Sequence, residues 1–223
     1  MIDKVLKFLD DGIPKNDFDR QLLASNLVGA TNLIELNKRE REITLKKQLK
    51  LQLNPIKGNF DYQHLKDIHK ALFEDVYTWA GKDRNDMKIY GFMSKGNSVF
   101  CAGEYIPKEA EKIFTNLQNQ NYFKECKDLN HFAKDIANFM SDLNALHPFR
   151  EGNGRIQRIF INQLAKNAGY KLDLNLIPKE KIITASIEAM ECKNTKLEAL
   201  IKTNLKSFKQ NLEKENALGL SLC

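Results

Sequence analysis

Apolar residues recur along this chain mostly at three- and four-residue intervals, the spacing of one buried helical face. Leu22, Leu23, Leu27 and Val28 open the pattern, and Leu33, Ile34, Leu36, Ile43, Leu45 and Leu49 carry it through a charged stretch. One or two helices are predicted there, ending at about residue 52. Pro55 and Gly58 break the pattern. From Tyr62, the positions Leu65, Ile68, Leu72 and Val76 predict a helix running to about Trp79. Between Gly81 and Tyr105 the period changes. Lys88 to Phe92 and Ser98 to Cys101 carry aromatic and β-branched residues around Ser94-Lys95-Gly96-Asn97, which reads as a β-hairpin. Pro107 suits the first turn of a helix. Further helices are expected at roughly 107–119, 129–146, 153–168, 178–191 and 194–215. The fold class that results is all-α, with one short β-hairpin.

Composition narrows the setting. The chain has 223 residues, 42% hydrophobic, enough for one substantial core. No apolar run approaches the length of a membrane span, and acidic residues interrupt the N-terminus where a signal peptide needs an apolar stretch. A cytoplasmic bacterial protein without a membrane partner is expected. Cys101, Cys126, Cys192 and Cys223 lie far apart, so neither a disulfide framework nor a zinc site is predicted. The net charge of +6 is spread over helix surfaces rather than gathered into a stripe, which argues against a nucleic-acid partner.

Chemistry concentrates in His147-Pro148-Phe149-Arg150-Glu151-Gly152-Asn153-Gly154-Arg155-Ile156-Gln157-Arg158. Pro148 stops the helix before it, because proline disfavours helical geometry in the preceding residue. Gly152 and Gly154 permit backbone conformations that let successive N–H groups converge on an anion. They sit at a helix N-terminus, where orphan N–H groups and the helix dipole already favour negative charge. Glu151 can offer a hard oxygen to Mg2+, which usually takes one or two carboxylates plus substrate phosphates. Arg155 and Arg158 share a helical face and can clamp further phosphates. His147 titrates in the range of a general base. Phe149 reads as core and Arg150 as solvent-facing.

This segment resembles the signature of the Fic family, HxFx(D/E)GNGRxxR, at every defined position. The similarity extends upstream through Gly58-Asn59-Phe60-Asp61, His64-Leu65, Ile68-His69 and Trp79-Ala80-Gly81, and through the hairpin. The resemblance implies a mainly helical fold and a protein AMP-transferase. Such an enzyme uses ATP and Mg2+, modifies a Ser, Thr or Tyr hydroxyl of a target protein, and releases pyrophosphate. It further implies that His147 deprotonates the hydroxyl, that Glu151 holds the metal, and that Asn153 with Gly152 and Gly154 steadies the α-phosphate. Arg155 and Arg158 would hold the leaving phosphates. Relatives that phosphorylate their target carry lysine where Gly154 stands, so this glycine favours AMP transfer; another nucleotide donor stays open, as does an inhibited nucleotide-binding toxin component. The expected organisation is an N-terminal helical segment over 1–52, a catalytic core over 53–175 and C-terminal helices of the same domain over 176–223. In the family, the hairpin is a flap that aligns the target, here Ser94, Lys95, Gly96, Asn97 and Ser98. His64, His69 and His131 are expected as packed structural histidines.

Many family members are restrained by a helix bearing (S/T)xxxE(G/N). Two segments match in part: Thr31 to Glu35, followed by Leu36, and Asn211 to Glu215, followed by Asn216. Glu35 and Glu215 are thus candidate inhibitory glutamates that read first as surface carboxylates; the alternatives are an inhibitory helix from a separate small antitoxin protein, or none.

Overall fold

The computed structural model describes residues 12–207. These form two compact units, one comprising residues up to 56 together with 66–82, the other 57–65 together with 83 onward.

In the first unit, helix α1 (Asp17–Ala24) is capped by the side chain of Asn16, and α2 (Leu33–Leu53) by that of Asn32. Both asparagines accept an N–H that the helix start leaves unpaired. The unit also holds most of α3 (Tyr62–Phe73). That helix ends earlier than its apolar pattern, which runs on through Val76. After Phe73 the chain turns back to bond with the segment following α1: the Leu27 N–H donates to Val76 at 2.8 Å and the Thr78 N–H to Ser25 at 3.1 Å. Long-range pairing overrides the local period here. Trp79 stacks on Tyr77 at 4.5 Å and donates its indole N–H to Ser25. His69 is fully buried and its Nδ1 accepts from the Gly81 N–H at 2.8 Å, so it is a packed histidine as expected.

The second unit carries the hairpin β1 (Met93–Lys95) and β2 (Ser98–Phe100), then α4 (Ile106–Asn119), α5 (Leu129–Leu146) and α6 (Asn153–Asn167). Strand β3 (Tyr170–Leu172), helices α7 (Lys179–Met190) and α8 (Thr195–Asn204), and strand β4 (Leu205–Ser207) follow. Helix α5 is the hub. It buries Phe132, Ile136, Phe139, Met140 and Leu143 and packs on α4, α6, α7 and α8. Phe114 and Phe160 meet edge to face beside Phe139, placing rings at the centre of this core. His64 is buried against Phe60 and Phe160. His131 is not packed: it lies exposed in the first turn of α5 and pairs with the capping Asp128.

Three further expectations change in this unit. Residues 88–92 are not a strand. Asp83 and Asp86 each accept the other's main-chain N–H, coiling the segment into turns, and Lys88 adopts φ 57°. The first strand instead uses Ser94 and Lys95, leaving a two-residue Gly96-Asn97 turn with Lys95 opposite Ser98. The final helix stops at Asn204 because residues 205–207 pair antiparallel with 170–172, a second strand pair that the sequence did not announce. Glu215 lies outside the described residues. No described helix is long and apolar enough to cross a membrane.

Candidate active site at the start of helix α6

The site forms where α5 ends and α6 begins. His147 caps α5 in the left-handed region, with φ 42° and ψ 58°. This turn redirects the chain into Pro148 and brings the imidazole against the hairpin. The ring stacks on Phe100 of β2, with centroids 3.8 Å apart and planes 18° from parallel. Burial is the main cause that lowers the His147 pKa, to about 4, and the nearby charges of Arg84 and Lys95 add to it. The Asn144 carbonyl offsets this in part. The imidazole is therefore neutral throughout the physiological range and able to accept a proton.

The loop that follows is held from within. The Asn153 side chain accepts from the Phe149 N–H at 2.9 Å and donates to the Phe149 carbonyl at 2.7 Å. It is buried, so both bonds are shielded from water. In this structure its amide closes the loop rather than lying open at the mouth. Arg150, expected at the surface, is 7% exposed. Its place in the closed loop between the buried Phe149 and α6 takes it inward despite its charge.

Gly152 caps α6 at φ 85°, a conformation that glycine adopts without strain. The Arg155 and Ile156 N–H groups bond back to its carbonyl, while those of Asn153 and Gly154 emerge from the first turn, where an anion can meet them. A methyl on Gly154 would touch only Nη1 of Arg158, at an ordinary 3.6 Å. Among the described residues nothing requires glycine there, and Gly154 itself is exposed.

Charged groups surround this nest. Glu151 accepts from the Gly152 N–H at 2.9 Å and lies 3.4 Å from Arg155. Arg158 donates from Nε to Asn175 at 3.3 Å, and Asn175 is itself held by Asp173. Burial and the neighbouring Arg155 lower the pKa of Arg158, a cation set where a further positive charge is unwelcome and a polyanion is favoured. Among the described residues no three His, Cys, Asp or Glu side chains converge to cage a metal. The lone carboxylate of Glu151 fits an ion such as magnesium, which takes much of its coordination from water and phosphate.

The second unit thus brings together His147, Glu151, Gly152, Asn153, Gly154, Arg155, Arg158 and the hairpin residues 94–98. Glu35 lies in the first unit, where its carboxylate accepts from the Thr31 N–H at 2.9 Å and pairs with Arg39 at 2.6 Å. The Thr31 bond chiefly holds its pKa below the usual value. Glu35 closes the start of α2 in the manner of a capping glutamate.

Three contributors escaped the sequence reading. Arg84 is wholly buried and bonds to main-chain carbonyls around His147. Phe100 covers the imidazole, and Asn175 aims Arg158. Each acts across 17 to 63 positions of sequence, beyond the reach of a local motif. A charged residue in the turn-rich segment before the hairpin was the one visible signal for Arg84.

This arrangement is that of a Fic domain. Residues 59–165 match the Fic/DOC family, and the chain belongs to it. It is 37% identical over 196 residues to the protein adenylyltransferase VbhT of Bartonella schoenbuchensis, covering 88% of this chain and 40% of VbhT. It is 36% identical to the probable protein adenylyltransferase y4lH of Sinorhizobium fredii, covering 59% of this chain and 66% of that protein. The chain therefore spans less than two thirds of either relative. The N-terminal Fic domain of a Bartonella quintana VirB-translocated effector, solved with bound ADP, superimposes with a TM-score of 0.74 at 30% identity. That match covers 84% of this chain and 92% of the other.

Proposed function

We propose that this chain transfers AMP from ATP to a Ser, Thr or Tyr hydroxyl of a target protein and releases pyrophosphate. The observation that carries the reading is the pairing of a neutral, half-buried imidazole, covered by Phe100, with an open anion nest one short loop away. Relatives named protein adenylyltransferase support it, as does the ADP bound to the Bartonella quintana domain.

In this reading His147 takes the proton of the attacking hydroxyl. The N–H groups at the start of α6 receive the α-phosphate, and Asn153 keeps the loop that presents them in shape. Arg155 and Arg158 bind the departing phosphates. Glu151 would hold a magnesium ion, which supplies neutralising charge to the triphosphate when bound. Phosphoryl transfer of this kind depends on positioning and charge neutralisation more than on covalent chemistry. The hairpin aligns the target by pairing with an extended segment of it, which adds as a strand to the hairpin's edge. Its tip from Ser94 to Asn97 is exposed, while the face carrying Lys95 and Phe100 is turned toward His147. Restraint comes from a small antitoxin protein or from a glutamate of the chain, with Glu35 the described candidate.

The test uses the purified chain with ATP labelled at the α-phosphate, magnesium and bacterial lysate. Protein labelling with stoichiometric pyrophosphate release is expected, and His147→Ala should abolish both. Label from the γ-phosphate, or equal labelling by the His147→Ala variant, would refute this assignment. Competition by unlabelled UTP, GTP and CTP identifies the donor; displacement of ATP by one of them would replace AMP as cargo.

A further inference from the structure

We infer that Arg84 is a positioning residue of this site: one buried guanidinium holds the main chain of the base, the end of α5 and both roots of the flap in a single arrangement. The inference rests on His147 being the base.

The side chain of Arg84 is completely buried, and each of its hydrogen bonds runs to a main-chain carbonyl. Nε donates to His147 at 3.1 Å. One terminal nitrogen donates to Cys101 at 2.6 Å and to Leu146 at 3.4 Å, and the other reaches Gly91 at 3.5 Å. Its own N–H donates to Pro148 at 2.8 Å. Gly91 and Cys101 flank the two strands of the hairpin, and Leu146 and His147 end α5. Three segments distant in sequence therefore share one cation.

Physical chemistry explains why arginine stands here. A helix end leaves carbonyls without partners, and a cation is favoured at that pole. The planar fork can serve several acceptors in fixed directions, which a lysine ammonium cannot reproduce. His147 needs such restraint, since the left-handed region is unfavourable for a residue with a β-carbon. The Cys101 N–H also donates to Ala145 at 2.9 Å, a second and weaker tie between hairpin and helix. Arg84 completes the connection that lays Phe100 on the imidazole.

A histidine-labelled chain tests this by NMR without reference to activity. The His147 signal is identified by its loss in His147→Gln and carries a ring-current shift from Phe100, measured as its displacement in Phe100→Leu. Arg84→Lys and Arg84→Met should each move that signal most of the way to its Phe100→Leu position. A folded variant of either kind with the wild-type shift overturns the inference. Where labelling activity exists, kcat should fall roughly tenfold to a hundredfold while the KM for ATP changes by less than about threefold, since Arg84 touches no part of the phosphate nest. An equal loss in ATP affinity with unchanged kcat would count against it. Should both variants fail to fold, deuterium exchange at the Arg84 Nε–H of the wild-type chain decides. Exchange far slower than at the exposed Arg20 supports the clamp, and exchange as fast as at Arg20 refutes it. Absence of AMP transfer in the wild type would sink the proposed activity and leave the NMR result to judge Arg84 separately.

Discussion

Phe100 lies face to face on His147, 3.8 Å between centroids, so a strand of the hairpin forms one wall around this imidazole. The stack withdraws the imidazole from water, and that withdrawal is the first cause of its pKa of about 4. A depressed pKa means that the folded chain binds fewer protons than the unfolded chain between pH 4 and the ordinary value of 6.5. Stability from this group is thus complete above pH 6.5 and is lost as pH falls toward 4. The acid limb of kcat/KM should lie near pH 4 to 5, wherever the fold survives. Phe100→Ala, which opens the ring to solvent, should move that limb upward toward 6.5. A pH–rate profile of both proteins checks this; an unmoved limb would show that Phe100 does not set the environment of His147.

Asn153 and Gly154 are adjacent, yet the structure assigns them different duties. Removing the Asn153 amide takes one buried partner from the N–H and one from the carbonyl of Phe149. Asn153→Ala should cost about 2–4 kcal/mol of stability. Gly154→Ala adds a methyl with ordinary contacts only, so thermal stability should hold while turnover of ATP falls, because the methyl stands at the mouth of the nest. Melting curves alongside initial rates separate the two effects. A large drop in Tm for Gly154→Ala would contradict the open mouth.

Much of this was legible in the sequence, for identifiable reasons. Helices α4, α5 and α6 were readable because their apolar period, the proline in the first turn of α4 and the breaking Pro148 all agree. The loop from Glu151 to Gly154 was readable because its glycines, charge and helix start are local. What could not be read depends on long-range partners. Helix α3 ends at Phe73 because Val76 and Thr78 bond to residues around Ser25. Strand β3 exists because β4 returns beside it more than thirty positions later. Arg150 looked like a surface cation, since neighbouring sequence carries no sign that its loop folds inward.

Gly58 shows a steric demand set by a side chain six positions further on. A β-carbon there would sit 2.3 Å from the His64 ring, itself buried against Phe60 and Phe160. The His64 ring, 2% exposed, must shift to admit it. Gly58→Ala should destabilise the chain by about 1–3 kcal/mol, the usual range for overpacking. Denaturant unfolding measures the loss, and the double variant Gly58→Ala with His64→Ala should recover part of it. Equal losses in single and double variants would show that the clash is not the cause.

Asn175 offers a test of how the second arginine is aimed. Its amide oxygen accepts from Nε of Arg158, and its own N–H groups are anchored on Asp173, which Asn162 also contacts. Cutting the link at Asn175→Ala leaves the guanidinium charge in place and removes only its orientation. At 3.3 Å the bond is long, so the expected effect is modest: the KM for ATP should rise roughly three- to tenfold, equivalent to about 1 kcal/mol. If Arg158 meets the leaving phosphates, inhibition by pyrophosphate should weaken in parallel, while AMP binding stays as it was. Comparable loss for AMP and pyrophosphate would place Arg158 elsewhere on the nucleotide. Asp173→Asn should give a smaller change in the same direction, because it disturbs the anchor of Asn175 rather than the arginine itself.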